Sequence, residues 1–277
     1  MLSRHLHSFA LALVVGTLGA ILTGAAQLGI SALGGSGGEL HRGVSGIVAL
    51  LTIPTTIAAW SQPRRWLRPL AVGSLVTVWT LAALGIWMGA SPWAIVAHAC
   101  LSHIFFAAVV ALSVATSPAW SLPPDLVADT GSPSLRTLGM VVPVAVFLQI
   151  VLGALYRHVN LPVWPHIAGS LLVGGLLLYT GIVVLESHAE HEALRKAAQM
   201  LLVITVLQIT FGLGAFLGRV MVADGMQPEW WSILARTLHV ATGALTLAAT
   251  VAYAMQMNYH VSEDPIGKSP IEKSVVA

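Results

Sequence analysis

Four histidines in this 277-residue chain, His41, His98, His166 and His239, each stand near the start of a long apolar run. Polar groups at membrane depth are costly, so imidazoles placed there are functional candidates. The chemistry they suit is ligation of a haem iron by two axial imidazoles, which needs one histidine from each of two facing helices at matched depth. His41 would pair with His98, and His166 with His239. A helix-to-helix hydrogen bond, worth under about 2 kcal/mol in a membrane, would account for any one of them alone. Four matched positions favour ligation. Glu39 and Arg42 flank the first histidine, so an acid, an imidazole and a guanidinium share one helix entry.

Haem carries two propionates, and charge-assisted pairs with arginine would hold them. Arg42 directly follows His41, and Arg236 stands three residues before His239, on about the same helix face. Arg157 and Arg219 are candidates of the same kind, or end-of-helix arginines that snorkel to headgroups. His158, beside Arg157, is a candidate for lining a substrate or propionate region. His103 lies five residues after His98 and so points about 140° away from it, toward a bundle hydrogen bond or lipid. His188 and His191 fall in a polar stretch (ESHAEHEALRKA) expected to be a solvated, helix-capping turn. Gly16, Gly19, Gly174, Gly175, Gly212 and Gly214 let helices approach, or make room for a flat macrocycle.

The elements that must position these residues follow from composition. The chain is 56% hydrophobic and only 9% charged, where a soluble globule carries about 25% charged residues. It is expected to be an integral membrane protein. A net charge of +2 without a basic run gives nucleic acid no surface, and one cysteine, Cys100, excludes an intramolecular disulfide. There is no phosphate-binding glycine loop and no serine nucleophile elbow.

A span needs about 20 apolar residues. Eight stretches qualify, near 8 to 33, 43 to 60, 69 to 89, 93 to 115, 137 to 157, 164 to 185, 197 to 218 and 232 to 256. The first is too long for a signal-peptide core and is expected to be retained. The turn holding Arg64, Arg65 and Arg68 is the most basic, which makes it cytoplasmic and puts both termini on that side. Nine basic residues, Arg4, Lys268 and Lys273 among them, then lie inside and four outside, with the four histidines in the outer half. The Pro-, Gly- and Asp-bearing stretch 117–136 is expected to be an irregular cytoplasmic linker between residues 1–116 and 137–277. Each half opens its second and fourth helices with histidines, and VTVWTLA (76–82) lies over ITVLQIT (204–210) in a tandem alignment. The expected fold is therefore all-α: eight transmembrane helices as two tandem four-helix bundles related by a pseudo-two-fold axis along the membrane normal.

On these features, and on LQIVLGA (148–154) followed by Arg157 and His158, HACLSHIFF (98–106) and LHVATGAL (238–245), the chain resembles the haem A synthase family over residues 8 to 257. The resemblance implies a membrane oxidoreductase of cytochrome oxidase assembly that oxidises a methyl group of haem O to the formyl group of haem A. It implies that His41 and His98 bind the substrate haem O, that His166 and His239 bind a permanent haem B, and that Glu39 is a proton acceptor or haem-edge group. The family places its glutamate three residues before the first histidine; here Glu39 stands two before His41. On a regular helix that spacing turns the carboxylate about 200° from the imidazole, so Glu39 reaches the site only if Gly37 and Gly38 unwind the entry. Many relatives carry a cysteine pair in the first outer loop, and residues 25–38 contain none. The implied partners are haem O and haem A, membrane lipid, haem O synthase, and a quinone or another electron acceptor, with a homo-oligomer left open. The expected location is a bacterial or archaeal plasma membrane. Two other readings stay open: a bis-histidine haem B electron carrier, and a haem-binding assembly factor.

Overall fold

The computed structural model describes residues 5–32, 37–87, 89, 91–129, 131–223 and 230–262. Among these are eight long helices: α1 (Leu6–Ala32), α2 (Gly38–Trp60), α3 (Leu67–Trp87), α4 (Pro92–Thr116), α5 (Leu135–Val159), α6 (Trp164–Ser187), α7 (Glu192–Ala223) and α8 (Trp230–His260). All eight are long and apolar enough to cross a membrane, and the protein is a multi-pass, all-α membrane protein. Arg4, Lys268 and Lys273, counted above toward the cytoplasmic side, lie outside the described residues.

Local chemistry sets the ends. Ser91 caps α4 by accepting from the Trp93 N–H, with Pro92 in the first turn where its missing N–H costs nothing. Ser134 caps α5 by accepting from the Thr137 N–H, and Asn160 ends it in the left-handed conformation, φ 57°. Within the spans, threonine hydroxyls return to carbonyls one turn back, as Thr180, Thr205 and Thr246 do at 2.7–2.8 Å. No polar side chain of that group faces lipid without a partner. α7 starts five residues earlier than its apolar stretch because its first turn is charged. There Lys196 donates to Glu192 at 2.5 Å, one turn apart.

In the first half, α1 packs on α2, α2 on α3, α3 on α4 and α4 back on α1. The second half repeats the ring with α5 to α8. The halves meet through α4 against α8, α1 against α8 and α4 against α5, so α8 has neighbours in both rings. Exchanging the first four helices for the last four leaves this set of neighbours unchanged. α8 supplies Ala244 and Ala248 to the first half's core and Leu247, Tyr253 and Met257 to the second's. Its small residues let it sit close against α4.

The connection between the halves is tied down. Among its described residues it holds a 3-10 turn (Ala119–Ser121) and a two-residue strand, β1 (Val127–Ala128), that pairs in parallel with β2 (Val261–Ser262) just after α8. Arg64 donates to the Ala115 carbonyl at 2.9 Å and the Trp120 carbonyl at 3.0 Å, so a residue of the basic turn caps the end of α4. Trp120 stacks on Tyr259 at 4.3 Å between ring centres. His191 is buried, contrary to the solvated turn expected. It caps α7 by accepting from the Leu194 N–H and donates to the Asp125 carbonyl. Burial pushes His188 below its ordinary pKa, with the Asp129 carboxylate pulling the other way.

Candidate functional site

Because the odd helices end and the even helices begin at the same end of the bundle, the four histidines gather there, opposite the linker. His41 on α2 faces His98 on α4, ring centres 6.4 Å apart and ring planes at 69°. His166 on α6 faces His239 on α8 at 6.2 Å and 84°. The pairing expected from the sequence is the pairing found.

Each ring sits in the same kind of seat on the preceding helix. His41 Nδ1 donates to the Ala20 carbonyl at 3.0 Å, and Gly24, one turn on, lies against the ring. His98 Nδ1 donates to the Leu81 carbonyl at 3.1 Å, with Gly85 beyond. His239 Nδ1 donates to the Gln208 carbonyl at 3.3 Å, with Gly212 against the ring. At His166 the residue one turn before Gly153 is Gln149, whose backbone hydrogen-bonds the ring. The Gln149 amide nitrogen lies 3.0 Å from Nδ1 and donates to the His166 carbonyl at 2.6 Å. A carbonyl in a helix accepts one bond from the amide four residues on and keeps a second lone pair. Glycine at that fourth position removes the side chain that would cover it. Since a carbonyl only accepts, the Nδ1 of His41, His98 and His239 carries the proton, and the lone pair on Nε2 is left free to act as a ligand.

Gly24, Gly85 and Gly153 carry no expected role above, and Gly212 is expected there to serve packing or make room for a macrocycle. The usable signal was there: each of the four odd helices carries a glycine within its last turns, one turn after the carbonyl that holds the next histidine.

Two imidazoles per site are too few for a bare structural ion, which takes about four protein ligands. Among the described residues no group of three or more His, Cys, Asp or Glu could hold a metal. Such a pair suits a centre that brings its own in-plane ligands.

Arg157 lies within electrostatic range of His239. Arg157 and Arg236 lie within repelling range of each other, as do Arg236 and Arg219. Arg157 donates to the Ala25 carbonyl at 3.3 Å, next to Gly24, and so reaches from the second half to the wall of the first pair. Arg236 is held by the carbonyl and hydroxyl of Ser232. The Arg219 guanidinium lies over the Tyr156 ring at 5.8 Å. The ion pairs among the described residues are His191–Asp125 and Lys196–Glu192, so no described carboxylate neutralises these three cations. Arg42 is exposed beside its histidine. His158 occupies the last turn of α5 beside Arg157.

Glu39 stands apart. Gly37 has right-handed helical backbone, φ −83° and ψ −14°, and α2 runs regularly from Gly38. The unwound entry that would bring the carboxylate to the histidines is not adopted, and Glu39 is exposed in the first turn.

His103 is buried in the contact between the halves, not lipid-facing. Its Nδ1 donates to the Ala99 carbonyl at 2.7 Å, and its ring also hydrogen-bonds the Val240 backbone. Ala99 follows His98 and Val240 follows His239, so one imidazole ties together the neighbours of two site histidines.

Eight helices in two rings, each ring closing on a pair of facing histidines near one end, define a multi-pass helical membrane protein with two similar histidine pairs. Residues 40–169 match the model of the cytochrome oxidase assembly protein family. The resemblance to that family is thus shown over just under half of the chain, from α2 to the start of α6, taking in His41, His98 and His166. No curated protein matches the chain.

Proposed function

We propose that the protein is a haem A synthase, which oxidises a methyl group of haem O to a formyl group within the membrane. His41 and His98 hold haem O as substrate in the first half, and His166 and His239 hold a resident haem B in the second. The observation that carries this reading is the spacing of the two pairs. Two iron–imidazole bonds of about 2 Å, plus roughly 1 Å from each nitrogen to its ring centre, place ligand ring centres roughly 6 Å apart. The observed separations are 6.4 and 6.2 Å. The donor set fits as well, because three of the rings carry Nδ1–H and so keep a basic Nε2 for a metal.

When bound, the porphyrin iron supplies the oxidative chemistry. The chain's own residues bind and orient. The helix carbonyls fix the tautomers and ring directions. Arg157, Arg219 and Arg236 form a cationic rim suited to propionates, with Arg42 in that role beside the first pair. Haem B supplies the second half's redox centre, with a quinone or another acceptor receiving electrons and haem O synthase upstream. We place this end of the bundle on the outer face of a plasma membrane with both termini cytoplasmic, and the halves about a pseudo-two-fold axis along the membrane normal. The basic residues of the α2–α3 turn and the shared neighbour pattern support that arrangement.

One observation favours a second reading, a haem B electron carrier: Glu39, the acid expected in the oxidation, is exposed in the first turn of a regular α2. Haem extraction from the purified protein, expressed in a host that makes haem O, separates the two. Haem O, its hydroxylated intermediate or haem A in the extract is the expected result. Haem B alone would sink the synthase reading.

A further inference from the structure

The four histidine seats are not equally tight. A Cβ added at Gly24, Gly153 or Gly212 would stand 2.9 Å from Cε1 of His41, His166 or His239, inside ordinary contact. At Gly85 it would stand 3.8 Å from Cε1 of His98, at normal van der Waals separation. His41 is held further by the Thr23 hydroxyl, 3.4 Å from Nδ1, whereas the bond holding the His98 ring is the one to the Leu81 carbonyl. Gly85 is also exposed and lies in the last turn of α3. The His98 ring therefore has free space behind it that the other three lack.

We propose that His98 is the yielding ligand of the first-half site, the one that lets go when haem enters or leaves, and that His41 is the anchor. This rests on the reading of the first half as a site for an exchangeable haem. A site that must release its product cannot hold both axial bonds equally firmly, and the slack between Gly85 and His98 assigns the weaker one. Gly85 is then a positioning residue acting through His98. Its small size keeps the pocket behind the ring open, and a methyl group there would close it while meeting no atom closer than 3.8 Å.

The test uses the full-length protein purified with haem in both halves. Carbon monoxide binding to the reduced protein reports how readily an axial imidazole is displaced, and transfer of haem to apomyoglobin reports its loss. Gly85→Ala should slow both processes at the first-half site by several-fold, while Gly73→Ala on the same helix, whose Cβ would meet nothing within 4 Å, should leave them unchanged. In a second arm, His98→Ala should keep the first-half haem with a five-coordinate spectrum, and His41→Ala should lose it. Unchanged rates in Gly85→Ala, or equal retention of haem by the two histidine variants, would overturn the proposal. Wild-type protein that takes up no haem in its first half would remove the site reading, and this inference with it.

Discussion

The two histidine pairs have nearly the same separation, yet their surroundings differ in a consistent direction. The second pair has a glutamine side chain beside His166, glycines pressed against both rings, and three arginines that pair with no carboxylate among the described residues. The first pair has one close glycine and one loose one, an exposed arginine and an exposed glutamate. Equal ring geometry with unequal enclosure is what a resident centre and an exchanging one would require of the same half-bundle. A repeat can keep its ligands and change function by altering only how firmly each ring is backed.

The strongest way to break this comparison is to remove a ligand from the enclosed side. His166→Ala or His239→Ala should abolish the low-spin haem B spectrum of the second half, because the iron loses a strong axial ligand. An unchanged spectrum and haem content in both variants would refute the assignment. The rim comes next. Arg157→Gln or Arg236→Gln removes a charge-assisted bond worth about 1.5–3 kcal/mol, so haem affinity in the second half should fall by about ten-fold or more, read by competitive haem transfer. Arg42→Gln should cost the first site less, since exposure weakens the pair.

The seats give an intermediate effect. Gly153→Ala places a methyl group against the His166 ring and should shift it by a few tenths of an ångström, lowering haem occupancy measurably. Gly175→Ala on the next helix should not. Equal occupancy in the two would mean that the tight seat is only packing.

The smallest expected effect is at Glu39. In the first turn of α2 its carboxylate favours the helix dipole by about 0.3–1 kcal/mol. Glu39→Gln should therefore change thermal stability slightly and haem occupancy not at all. Haem A formation lost with occupancy intact would show that the first turn of α2 unwinds in the working enzyme and would return Glu39 to the reaction.

The spans were legible because apolar runs of the right length state their own fate, and His41, His98, His166 and His239 stood out because polar residues are rare in such runs. The ends of α7 and α8 were less so. Their terminal turns are polar and held by capping and side-chain bonds that an apolar pattern does not register. The seats were hidden for a different reason. Gly85 is informative only beside His98, and that adjacency is a property of two helices in contact, while glycine by itself is common in membrane helices. The pairing of Val127 and Ala128 with Val261 and Ser262 joins two short segments more than a hundred residues apart, too brief to leave a pattern. The carbonyl at Val240 that gives His103 its second partner likewise lies on a helix far along the chain.

α8 has one more consequence, for the order of assembly. It packs against α1, α4, α5 and α7, carries core residues of both rings, and is the helix that follows the other seven during synthesis. Until it enters the membrane, the first ring lacks Ala244 and Ala248 from its core, the second ring is open, and His103 has no Val240 to meet. A ribosome stalled before α8 would therefore present two unfinished sites, with His166 unpaired. On the proposed function, the second centre would be loaded only after the eighth span is in place, so cofactor insertion there would be a post-insertional event set by the order of the helices along the chain.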